Sequence, residues 1–381
     1  MPSQVTPTET GVHRDHEMPS KVSVQPTMNE VSVVEDSIPH QGNVNEKLLK
    51  AIDEVYSPVL KLMKLFGTYF GDTSLKRLAR TDSRCRKYIY LSHIYCGLVI
   101  SGFWLNFVMG FFDIFYGNNV FLFLMFSLWC LLIALNCTIC LVVLCVPFGD
   151  TRHSRFENFL RNLLAINSNV SLEKVKRKSR KGIIMFCFLF LTAVAGIMST
   201  YLLLDLSVAA FKPWNQWFGL TIVSQVFLII GCGAWFLPIL FFYITCLILE
   251  ALFDDDLHKR MSSSHSIPLD LAALKMEHHK LCEVVEFADK MLAPLIFEMV
   301  SLYLPLICLN FYKAVNLPEE GRIVFLVTNL VWLVVAGSIL AIIMIFGSKV
   351  YEKIHSLQKI LQTLPFSKED EGKVLMFILD I

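Results

Sequence analysis

The chain has 381 residues, 55% of them hydrophobic and only 18% charged, with 30 Phe and a formal net charge of +1. Its mean hydropathy is +0.55. This composition excludes an ordinary water-soluble domain and supplies no basic surface for nucleic acid.

Residues 1–45 are rich in Ser, Thr, Pro, Asn and Glu and hold no apolar run of signal-peptide type. They read as a disordered cytosolic leader. Residues 46–87 form a juxtamembrane region. Its stretch "NEKLLKAIDEVYSPVLKLMKLFGTYF" places Leu49, Ile52, Val55 and Tyr56 on one helical face, with Pro58 bending it. The pattern predicts an interfacial or short re-entrant helix.

A membrane span needs about 20 mostly apolar residues. Six runs meet that length: Tyr88–Tyr116, Val120–Phe148, Ile183–Phe211, Trp217–Leu247, Met291–Phe311 and Ile323–Phe346. The fold class predicted is therefore all-α, a polytopic membrane helix bundle occupying 88–347 and including a long loop at 248–290.

Lys and Arg alternate between the ends of these spans, twenty-five on one side and three on the other. The rich side holds the flank of the first span, the loops at 149–182 and 248–290, and the segment after Phe346. Positive residues stay cytoplasmic, so the N-terminus is expected inside the cell and the protein in the plasma membrane. "SNVSLEKVKRKSRKG" is the strongest such anchor and could also bind anionic lipid.

Two segments extend spans into water. In 271–292, Leu271, Leu274, His278, Leu281, Val285, Ala288 and Leu292 recur at alternating intervals of three and four. Val350, Ile354, Leu357, Leu361 and Leu364 continue the sixth span in the same way, within an end segment 348–381. Such seams bury against partner helices and predict a cytosolic anchor bundle. The alternative, helices lying on the bilayer, fits poorly with the mixed charges of Lys275, Glu277, Lys280, Glu283 and Glu286. His278 is read as a packing residue, since His278, His279 and Cys282 on one exposed helix make no metal site.

Of the eleven cysteines, nine lie in spans and Cys85 and Cys282 beside cytosolic sequence, so no disulfide framework is expected. Cys137 and Cys140 should pack as small hydrophobes. The sequons at Asn136 and Asn169 fall in a span and on the cytosolic side, where neither would be glycosylated. Polar groups inside spans are candidates for function, with helix pairing as their common role. Asp205, Ser224, Gln225, Asn329 and Trp332 would lie in the outer half of the membrane and could line a ligand pocket. Glu298 is expected to pair within the bundle. No catalytic grouping, cofactor motif or metal-ligand spacing occurs, so no enzyme and no cofactor are expected.

The inside N-terminus, minimal outer loops, long fourth loop and "LKMEHHKLCEVVEFADKMLAPLIFEMVSLYLPLICLNFYKAV" (274–315) resemble the invertebrate gustatory and odorant receptor superfamily. The resemblance covers roughly 46–381 and is strongest from 270 onward. It implies a seven-span subunit of a tetrameric, ligand-gated, non-selective cation channel for taste, gated by a small-molecule tastant. The ligand would sit among the outer halves of spans two to six, and the seventh span would line the pore. The hallmark Thr-Tyr and Gln-Phe of that span is absent, and the chain stops at "KVLMFILDI". A truncated product, silent by itself, is the expectation. A secondary transporter, hinted at by Gly231, Gly233 and Pro238 in the fourth span, and a metabotropic seven-span receptor are the alternatives.

Overall fold

The computed structural model describes residues 46–75, 86–116, 120–147, 153–166, 172–203, 218–254, 271–316 and 322–363. The leader, Cys85, Asp205 and Leu364–Ile381 lie outside the described residues. The described elements are all helices: α1 Glu46–Leu65, α2 Arg86–Tyr116, α3 Val120–Cys145, α4 Arg155–Ala165, α5 Glu173–Leu203, α6 Phe218–Leu252, α7 Leu271–Val315 and α8 Arg322–Thr363. Six of them, all but α1 and α4, are long and apolar enough to cross a bilayer.

Burial is unevenly shared among the six. The apolar window of α6 is 78% buried, whereas those of α2, α5 and α8 are 22–28% buried. α6 is thus the central post, touching α1, α2, α3, α5, α7 and α8. The others carry exposed large apolar side chains such as Leu98, Phe112, Ile184, Phe188, Phe297 and Met344. In water such a surface would drive aggregation; in a bilayer it faces acyl chains at no cost.

Gly231 and Gly233 do not break α6, and Pro238 lies inside the same continuous helix. Gly233 is instead a point of close approach. A Cβ there would sit 2.1 Å from the Phe66 ring, which follows α1. The hint of a broken transporter helix is corrected accordingly.

α1 also departs from expectation. Its apolar face (Leu48, Leu49, Ile52, Val55, Tyr56, Val59, Leu60, Met63) is buried against α6 and α5 rather than laid on lipid. The helix ends in a Schellman turn: Thr68 N–H donates to the Met63 carbonyl and Gly67 N–H to that of Lys64. Gly67 takes φ +74°, a left-handed conformation that glycine alone adopts freely.

The segment read as a loop at 149–182 is largely helical. Ser154 caps α4 through its hydroxyl, which accepts from Glu157 N–H, while the Glu157 side chain accepts from Ser154 N–H. This capping box fixes the start of a short helix whose Phe156, Phe159, Leu160 and Leu163 are buried. The basic run Lys174–Lys181 forms the opening turns of α5, so it too is helix rather than loop.

α7 and α8 are single helices of 45 and 42 residues, about 67 and 63 Å long at 1.5 Å per residue. A hydrocarbon core is about 30 Å thick, so each is long enough to project well beyond it. The inward stripe of α7 is His278, Leu281, Val284, Ala288, Met291 and Leu292, with Val285 only half-buried. The stripe keeps the spacing of the predicted seam but takes Val284 in place of Val285, and α7 meets α3, α4 and α8 of the same chain. On α8, Val350 is buried and Ile354 half-buried. The side chains of Leu274, Leu357 and Leu361 lie outside the described set.

Candidate functional site

The central position of α6 puts Trp235, 3% exposed, where three spans meet. Its indole stacks on Tyr303 of α7 at 5.8 Å with an interplanar angle of 18°. On another side it meets Trp332 of α8 at 5.5 Å, and Phe236 lies next to it at 4.7 Å. Offset aromatic contacts of this kind contribute about 0.5–1.5 kcal/mol each beyond area burial. Tyr303, Trp235 and Trp332 form a slab that ties α7, α6 and α8 together inside the membrane.

Polar atoms border the slab. Trp235 Nε1 and the Tyr303 hydroxyl are buried without a hydrogen bond of ordinary geometry. One helical turn and a half from Tyr303, Glu298 is 5% exposed and both of its carboxyl oxygens lack a hydrogen-bond partner. Among the described residues the expected pairing of Glu298 within the bundle is not found. Its neighbours across the α3–α7 contact are Cys137 and Cys140, both fully buried. Those cysteines pack as small hydrophobes, and among the described residues ten cysteines are free.

The sequence candidates separate into two groups. Asn329 and Trp332 share one face of α8, three residues apart, with Asn329 4% exposed. Contacts Trp235–Trp332 and Tyr243–Phe346 show that α6 and α8 run in the same direction. Gln225 therefore lies about 10 Å further along the axis than Asn329, at 1.5 Å per residue. Its Oε1 is buried with no hydrogen-bond partner among the described residues. Ser224 is on α6 with its side chain undescribed. Trp235 and Tyr303 were missed; the only signal for them was "WF" directly after the small "GCGA" run, which lets neighbouring helices approach.

At the end of the bundle that carries the basic residues, Tyr56, Phe156 and Phe241 meet as an aromatic triangle with centroids 5.4–5.6 Å apart. Burial pushes the Tyr56 phenol far above its usual range. His278 packs 6.3 Å from Phe253, with Nε2 3.3 Å from Cys282 Sγ. Among the described residues no group of three or more His, Cys, Asp or Glu could hold a metal.

The sequence pattern of a family described as 7tm chemosensory receptor matches residues 56–376. The chain belongs to the 7tm chemosensory receptor family. The receptor also resembles, in fold, the insect olfactory receptor OR5 from Machilis hrabei. In its complex with eugenol that receptor aligns with TM-score 0.60 at 12% identity over 88% of each chain. Without that ligand the TM-score is 0.52 at 10% identity, over 85% of this chain and 87% of that one. Among curated proteins none matches the receptor.

Proposed function

We propose that this receptor is a gustatory-type subunit of a ligand-gated, non-selective cation channel. In this reading it sits in the plasma membrane with its N-terminus in the cytosol and assembles as a tetramer with itself or related subunits. The observation that carries the ligand half of the proposal is the Tyr303–Trp235–Trp332 slab. A flat apolar or aromatic molecule entering between α6, α7 and α8 would exchange ring contacts with it, and so shift three helices at once. Eugenol, the ligand in the similar olfactory receptor, is a molecule of that kind. Asn329 and Gln225 are the polar groups that would orient it.

The channel half is supported by the projecting ends of α7 and α8. Their half-buried Val285 and Ile354 leave apolar surface for neighbouring subunits. The test is whole-cell current under a panel of small aromatic and aliphatic ligands, with the chain expressed alone and beside a related subunit, and G-protein signalling blocked. The expected result is a ligand-evoked cation current weakened by Trp332→Ala. Solute uptake without current would favour a transporter, and a response abolished by the block would favour a metabotropic receptor.

A further inference from the structure

Between α5, α6 and α8 lies a partly open cleft of about 30 Å³, lined wholly by apolar atoms. Gly182, Phe186 and Leu189 form one wall, Leu240 and Tyr243 the second, and Ile342 the third. It exists because Gly182 has no side chain: a Cβ there would lie 2.7 Å from the Tyr243 ring. Phe236, which flanks Trp235, lines the end nearer the slab, and Gly182 lines the end nearer the basic turns of α5.

What stands at that end gives the cleft a ligand. Lys178 and Lys181 precede Gly182 and Met185 by one helical turn and so share their face of α5. Lys349 follows Ile342 by two turns on α8 and holds its ammonium 5.0 Å over the Phe346 ring, which itself packs edge-on to Tyr243 at 4.6 Å. One carboxylate opposes these three cations: Glu250 lies 3.5 Å from Lys178. Lys181 and Lys349 have no acidic partner among the described residues. An apolar slot opening onto surplus positive charge at a bilayer boundary has the polarity of one molecule, an acyl chain with an anionic head.

We infer that the cleft between α5, α6 and α8 is a binding site for an anionic phospholipid, one acyl chain lying along Gly182, Leu189 and Ile342 and the phosphate held by Lys178, Lys181 and Lys349. The lipid comes from the leaflet at the basic end of the bundle. By bridging α5 to α8 it steadies the outer helices against α6. The inference rests on the chain spanning a bilayer and not on what opens the channel.

The test uses the full chain purified in detergent, with two photoactivatable lipids carrying a diazirine in one acyl chain: a phosphatidic acid and a phosphatidylcholine. The phosphatidic acid should label the 185–189 and 339–342 segments at the lower concentration. Each of Lys178→Gln, Lys181→Gln and Lys349→Gln should weaken that labelling about fivefold. Leu189→Trp should abolish it while the elution profile stays unchanged. Should that variant misfold, the three surface lysine variants decide alone. Equal labelling by both lipids, labelling elsewhere in the chain, or lysine variants that bind as the parent does would each overturn the site.

Discussion

Tyr56 and Thr245, 189 residues apart, share a buried hydrogen bond of 2.9 Å. The Thr245 hydroxyl already donates to the Phe241 carbonyl at 2.9 Å, so Tyr56 must be the donor. α1 is thereby fastened to the central post by a bond whose direction is fixed. Phe156 of α4 closes the same cluster.

Tyr56→Phe should therefore cost about 1 kcal/mol, the net worth of one neutral hydrogen bond. Tyr56→Ala should cost about 3–5 kcal/mol by opening a cavity beneath three helices. Thermal unfolding of the detergent-solubilised chain measures both. Equal losses for the two variants would mean that the ring contributes nothing beyond its hydroxyl.

The α7 stripe separates folding from assembly. Val284 is 1% exposed and faces its own chain, whereas Val285 is half-buried. Val284→Asp should abolish the folded protein, because an unpaired buried charge costs several kcal/mol. Val285→Asp should leave a folded chain that fails to associate, seen as a smaller particle on native gels. An unchanged oligomer in Val285→Asp would remove this face from the subunit contact.

Glu298 offers a test of a different kind. Its carboxyl oxygens make no hydrogen bond among the described residues, so no described bond is broken by Glu298→Leu. Stability should stay level or rise by about 1 kcal/mol. A loss of about 2 kcal/mol or more, read by unfolding in detergent, would reveal a partner that the isolated chain lacks.

A pH dependence follows from Lys176, whose ammonium hydrogen-bonds Glu54 and holds that carboxyl below its usual range. A depressed carboxylate stabilises the fold above its unfolded value, about pH 4.3, and loses that contribution as pH falls through the folded one. The pair is exposed and its effect small. Glu54→Gln should melt slightly below the parent at neutral pH, and the two curves should converge in acid. A gap that widens toward low pH would contradict the assignment.

Orientation can be read with tags. An epitope at the N-terminus or within 149–152 should be labelled only after cells are permeabilised, given the twenty-five to three division of Lys and Arg. Labelling of intact cells at both positions would reverse the topology and place the basic cleft in the outer leaflet.

Six spans and two helices too long for a bilayer were legible in the sequence, because hydropathy and helical period are local properties. The capping box of α4 is also written in the sequence, in Ser154 and Glu157, although one Ser-x-x-Glu between two spans does not by itself distinguish a helix from a loop. What the sequence could not show is which apolar surface meets protein and which meets lipid. Transfer out of water rewards both alike, so the runs of α2 and α6 look equivalent although one is mostly exposed and the other mostly enclosed. Only tertiary packing decided that α1 turns its apolar face to α6, that Val284 rather than Val285 points inward, and that Trp235 draws Tyr303 and Trp332 together. Each depends on residues tens to hundreds of positions apart, joined by close approach at small side chains such as Gly233. Helical period constrains one helix at a time and carries no record of its neighbour.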